Sequence, residues 1–226
     1  MLGLCSLVSF LCDGVGNTDV DREDFSISLN FRAAHACKTS LLMKHKLGVL
    51  FGRKPSILSD LRQHLLESKP MSLEERVVTL STTVSSPCYL TLSDGNTTSV
   101  IEKDFNTSFV SSSDTFIIKT NHDTQPNDAV SKTRIEKQIR RADPVIAAYG
   151  NLYEDSVVRH GCMQDKWDKH VKGNPRKGIS DKVLREWMSD VLTNNEQTHF
   201  ACVMDPKKGE IAWIERGEAV NNRSNT

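Results

Sequence analysis

Three consecutive residues, Asn121, His122 and Asp123, close the stretch FIIKTNHD and set an amide, an imidazole and a carboxylate side by side. Between them these groups can donate, accept and, for two of the three, change charge. The stretch before them opens with Phe116, Ile117 and Ile118, apolar and β-branched in the manner of a buried strand. Polar groups at the end of a rigid element can be aimed at a ligand. The same three residues also suit a plain polar turn, because Asn and Asp hydrogen-bond their own backbone locally.

Other patterned segments define the elements that would carry this trio. FSISLNF, Phe25 to Phe31, alternates with period two and predicts a half-buried strand. In PSILSDLRQHLLES the period changes: Ile57, Leu58, Leu61, Leu65 and Leu66 share a helical face, with Ser56 as N-cap. MSLEERVVTLST opens with a capping box, Ser72 and Glu75, which predicts a second helix packed beside the first across Lys69-Pro70. Two strand-like runs flank Asp94-Gly95-Asn96, a hairpin turn sequence. DTFIIKTN is expected as the third strand of that meander.

From Thr124 to about Lys177 the chain is polar and mixed in charge. KTRIEKQIRRA predicts a short helix, and HGCMQDKWDKHVKGNPRKG a helix running into a loop. SDKVLREWMSDVL, capped by Ser180, carries a stripe of Val183, Leu184, Trp187, Met188, Val191 and Leu192. THFACVMD and EIAWIER form a closing hairpin around PKKG, and the tail, residues 217–226, is expected to be disordered. Hairpins without βαβ alternation imply antiparallel sheets with helices packed outside, an α+β domain.

Composition narrows the function classes. In 226 residues, Lys plus Arg and Asp plus Glu number 29 each, so no net field draws the chain to nucleic acid or an acidic membrane. No amphipathic basic helix stands out. RIEKQIRR, Arg134 to Arg141, reads as a solvated helix face. The six cysteines, at 5, 12, 37, 88, 162 and 202, contain no CxxC pair, so no metal site is expected. They read as buried thiols, although the even count also allows disulfides. MLGLCSLVSFLC is apolar but lacks a preceding positive charge, and it is far short of the ~20 residues of a membrane span. A buried strand accounts for it, as does a sequence that begins inside a domain. Asn96, Asn106 and Asn222 open Asn-x-Ser/Thr triplets, which permit glycosylation in a secreted chain.

In order along the chain, FSISLNFR, SSPCYLTLSDGNTTSVIEKD, FIIKTNHD, ISDKVLREWMSDVL and the last hairpin resemble acid ceramidase and the N-acylethanolamine-hydrolysing acid amidases. The resemblance runs from about Phe25 to Arg216. It implies an N-terminal-nucleophile hydrolase, an αββα sandwich that hydrolyses the N-acyl bond of a lipid amide. It needs no cofactor, and it belongs in the lysosomal or secretory pathway. In such enzymes a Cys freed at the N-terminus attacks the carbonyl, with its own amine as base, and pre-aimed donors hold the oxyanion. The resemblance gives that donor role to Asn121, whose NH2 donates without changing charge. Asp123 then orients the loop, and His122 packs in the family's Tyr position. Arg159, in EDSVVRHG, matches the family's following Arg once residues 124–155 are taken as an insertion, and could steady an oxyanion by paired hydrogen bonds.

Two family features have no counterpart. The Cys-Thr-Ser strand and the Arg-Asn-x-Asp segment are missing upstream of Phe25, and Cys5 and Cys12 lie too near the first matched strand to replace them. Phe31 stands where the family has Glu after Ser-Leu-Asn. Residues 1–226 are therefore expected to form one truncated amidase domain that supplies the oxyanion side and pairs with a missing N-terminal segment or α-subunit. The alternatives are an inactive lipid- or partner-binding remnant of the same fold, and an acyltransferase of the penicillin-acylating kind.

Overall fold

The computed structural model describes residues 8–11, 25–32, 37–66, 71–124, 144–174, 177–190 and 200–216. Strands β1 (Val8–Leu11), β2 (Ser26–Phe31), β3 (Cys88–Ser93), β4 (Thr98–Lys103) and β5 (Ser108–Ser113) form one sheet in that order. Strands β6 (Phe200–Asp205) and β7 (Glu210–Arg216) form a second. Every pairing is antiparallel. Helices α1 (Thr39–Leu50), α2 (Ile57–Leu66) and α3 (Leu73–Thr82) follow β2, while α4 (Pro144–His170) and α5 (Asp181–Met188) precede β6. The fold is α+β.

The period-two strands divide the large sheet into two unlike faces. On one face Phe25, Ile27, Cys88, Leu90, Leu92 and Ile101 pack with Leu61 of α2 and Leu73, Val77 and Leu80 of α3. Fully burying such a side chain is worth about 1.5–3 kcal/mol, so this layer is the main adhesive of the fold. The helix pair is fastened locally as well: Ser59 N–H donates to the Ser56 hydroxyl at 3.1 Å, and the Ser72–Glu75 capping box is complete. Arg76 donates to the His64 carbonyl at 2.7 Å and lies over the Phe25 ring. In the β3–β4 turn, Asp94 Oδ1 accepts from the amides of Asn96 and Thr97, and Gly95 takes φ +81°. A Cβ at Gly95 would meet Lys207 Cγ at 2.5 Å, so the tips of the two hairpins touch there.

Several expectations change. The third meander strand is Ser108–Ser113, not DTFIIKTN; residues 116–120 join no ladder, because Phe116 leaves the sheet to stack on Trp167 of α4 at 4.3 Å. HGCMQDKWDKH is the end of a 27-residue helix starting at Pro144, a residue suited to the first helical turn. Residues 144–155 of the supposed insertion therefore belong to that helix, while 125–143, with the RIEKQIRR segment, lie outside the described residues. Helix α1 is absent from the sequence reading altogether. Apolar residues occur on both its sides, so no single stripe marks it. Ser180 caps α5 as expected; Val191, Leu192, residues 217–226, Cys5, Cys12, Asn222 and the Phe31 side chain fall outside the described residues. Cys37, Cys88 and Cys162 are free thiols, and burial pushes that of Cys88 up to about 12.

Candidate functional site

The second face of the large sheet carries the polar positions of the same strands. Asn30 of β2 pairs in register with Tyr89 of β3, and Tyr89 with Glu102 of β4, so the three form one row across the sheet. Segment 119–124 lies along this row and bonds to each member in turn. Asn121 Nδ2 donates to Asn30 Oδ1 at 2.7 Å. Asp123 Oδ1 accepts from the Tyr89 hydroxyl at 2.8 Å. The Lys119 ammonium pairs with Glu102 Oε1 at 2.6 Å, and the Thr124 amide and hydroxyl donate to the same oxygen at 3.0 and 2.7 Å.

Charges under the segment make it rigid. Arg32, just past β2, grips Asp123 with two parallel bonds, Nε to Oδ1 at 2.9 Å and Nη2 to Oδ2 at 2.7 Å. That fork geometry is the strong form of an arginine–carboxylate pair. Burial alone would raise the Asp123 carboxyl, but the bonds and charge of Arg32, with the Tyr89 hydroxyl, hold it below its ordinary value. Burial, then the Asp123 charge, pushes Tyr89 far upward, so the phenol stays a proton donor. Lys119 is lowered by burial, a change that Glu102 partly offsets. Its ammonium also donates to the His122 carbonyl and sits 4.0 Å from the Tyr89 ring centre.

Helix α4 closes the site from the other side. Ser156, fully buried, accepts from the Asn121 amide at 2.6 Å and lies 2.9 Å from His122 Nδ1. One helical turn away in space, Arg159 Nη2 donates to Asn121 Oδ1 at 3.0 Å. A guanidinium can only donate, so the Asn121 oxygen faces Arg159 and its NH2 faces Asn30. Asn121 thus sits in a chain of donors, Arg159 to Asn121 to Asn30, and each bond polarises the next. Asn121 is buried, with 9% of the residue exposed. His122 lies between Thr120 and Ser156 with its ring against that of His160, a packed and hydrogen-bonded position.

No protein-family model matches the sequence, and no curated protein matches it. Among solved structures, the chain is similar to a Caenorhabditis elegans N-acylethanolamine-hydrolyzing acid amidase ortholog, with a TM-score of 0.51 and 18% identity. The match covers 82% of this chain and 68% of the amidase. The likeness is one of fold. The chain shares with that amidase an arrangement of helices and antiparallel sheets spanning most of its length.

All four residues singled out from the sequence, Asn121, His122, Asp123 and Arg159, meet in this one region. Arg159 reaches Asn121 from a helix rather than a loop, and Asn121 stands in a bend rather than at a strand end. Partners with no sequence-based expectation include Asn30, Arg32, Tyr89, Glu102, Lys119 and Ser156. The signal for three of them is the alternation of the strands, which puts Asn30, Tyr89 and Glu102 on the face opposite the leucines. Among the described residues no group of three His, Cys, Asp or Glu side chains could hold a metal ion, and no helix is long and apolar enough to cross a membrane.

Proposed function

We propose that this chain is the oxyanion-holding part of an amidase that cleaves the N-acyl bond of a lipid amide. The observation that carries the reading is the Arg159–Asn121–Asn30 chain, seated on the sheet of a fold shared with an acid amidase. Arg159 withdraws electron density from the Asn121 oxygen and so strengthens the adjacent N–H groups as donors. In this scheme a thiol on a segment outside Phe25 to Arg216 attacks the carbonyl carbon. The carbonyl oxygen then becomes an oxyanion, which Asn121 meets with a donor that needs no reorganisation. The amine leaves with a proton, and water later releases the fatty acid from the acyl-enzyme. Asp123, gripped by Arg32 and Tyr89, is the residue that positions the bend. A lysosomal or secretory setting accords with Asn96 and Asn106, which open Asn-x-Ser/Thr triplets and are themselves exposed at hairpin turns.

The test is fatty-acid release from an N-acyl amine by the complete gene product. Asn121→Ala should lower turnover by ~10² while leaving the fold intact. A loss smaller than about threefold would remove Asn121 from the oxyanion site. Turnover absent even with an upstream nucleophile segment would favour a lipid-binding remnant.

A further inference from the structure

Strand β5 ends one side of the large sheet and pairs only with β4 among the described residues. Its residues, Ser108 to Ser113, carry no charge and keep an unbroken register against β4, from Lys103 beside Ser108 to Thr98 beside Ser113. An edge strand offers a row of unpaired amides and carbonyls, and folded proteins blunt such edges with lysine, proline or a bulge. Strand β5 has none of the three.

The side chains along this edge are apolar on both faces of the sheet. Val110 stands opposite Ile101, on the side packed against α3, and Phe109 opposite Glu102, on the polar side. They are 37% and 42% exposed. Helix α3 flanks the strand where the Ser108 hydroxyl donates to the Ser81 carbonyl at 3.0 Å, and Val78, one turn earlier on that helix, is exposed as well.

We propose that β5 is a dimerisation edge, pairing antiparallel with β5 of a second copy about a two-fold axis at Val110. In such a contact the residue on the axis faces itself, and residues equally far on either side of it face one another. Val110 then meets Val110, Phe109 meets Ser111, Ser108 meets Ser112 and Thr107 meets Ser113, with no charge in the pairing. Asp114 comes opposite Asn106, so like charges do not oppose each other at the ends. Glu102, Lys103 and Asp104 of the neighbouring strand are buried and do not face the partner. A foreign peptide is disfavoured, because strand addition takes its selectivity from pockets for alternate side chains, and four of the β5 residues are serines. The inference does not rest on the amidase reading, since association is measured without turnover.

The test is sedimentation velocity of the full chain, made in bacteria so that Asn106 carries no glycan. A monomer–dimer equilibrium is expected by about 100 μM, and added salt should not weaken it. Val110→Lys and Val110→Glu each set two like charges on the axis and should weaken dimerisation at least tenfold, with unchanged circular dichroism. Mixing the two variants should restore a one-to-one dimer, because Lys then faces Glu across the axis. In the unaltered protein, hydrogen exchange at β5 should slow as concentration rises, a readout that needs no variant. A monomer at every concentration would overturn the proposal, as would a dimer that both variants leave intact. Variants that stay monomeric on mixing would overturn the axis at Val110, and open-ended assembly would assign the edge to aggregation instead.

Discussion

The two faces of the five-stranded sheet are made by the same strands and solve opposite problems. One face buries Phe25, Ile27, Leu90, Leu92 and Ile101 under α2 and α3, where shape and apolar area suffice. The other covers Asn30, Tyr89 and Glu102 with segment 119–124, where most polar atoms are paired and Arg32 Nη1 and Glu102 Oε2 are the buried exceptions. Apolar packing tolerates exchange among residues of similar volume, while a hydrogen-bonded charge network does not. The apolar face therefore reads as the stabilising layer, and the polar face as the one built to fix a few atoms in place.

The largest effect should come from breaking the polar face at its most buried pair. Lys119 and Glu102 side chains are almost wholly enclosed, so Lys119→Met should cost about 3–5 kcal/mol in urea unfolding by leaving Glu102 charged. Adding Glu102→Leu should recover much of the loss, because a buried pair is worse halved than removed. A loss below about 1 kcal/mol for the single variant would mean that water already reaches this row.

Acidification should sharpen the same contrast. His160 is lowered from its ordinary value by burial and then by the Lys119 charge, so the fold prefers it neutral. Its contribution is lost as pH falls below 6.5, where the unfolded chain takes up the proton first. Asp123 is held below 3.8, so its contribution is complete above that pH and disappears as pH falls through its folded value. The melting temperature should therefore fall in two stages, His160→Gln reducing the upper stage, to which buried His45 also contributes, and Asp123→Asn the lower. A curve unchanged by Asp123→Asn would deny the Arg32 grip its energetic weight. The smallest effect belongs to the apolar side. Ser72→Ala removes the α3 cap and should cost about 1 kcal/mol in thermal unfolding with no change in turnover.

The two faces were also unequally legible. Alternation in FSISLNF, the Ser72–Glu75 box and the Asp94-Gly95-Asn96 turn announced β2, α3 and the β3–β4 hairpin, because each is a local preference that the fold satisfies locally. FIIKTNHD misled. Its β-branched residues suit a strand, but Phe116 finds a better partner in Trp167, and Lys119 finds one in Glu102, leaving no ladder. Arg32 and Ser156 could not be read, since each matters through a residue more than thirty positions away. Helix α1 was hidden by apolar residues on both its sides.

The most direct test of the central claim, that the polar face exists to hold the Asn121 amide as a donor, is Asn121→Asp in the complete gene product. The carboxylate keeps the shape and the oxygen that accepts from Arg159, and the Asn30 amide can turn to present its NH2, so the fold should survive. Only the donor toward a developing oxyanion is lost. Fatty-acid release should fall by ~10² or more, at least as far as with Asn121→Ala, with thermal stability little changed. Turnover near that of the unaltered protein would contradict the claim, because a negatively charged oxygen cannot stabilise another.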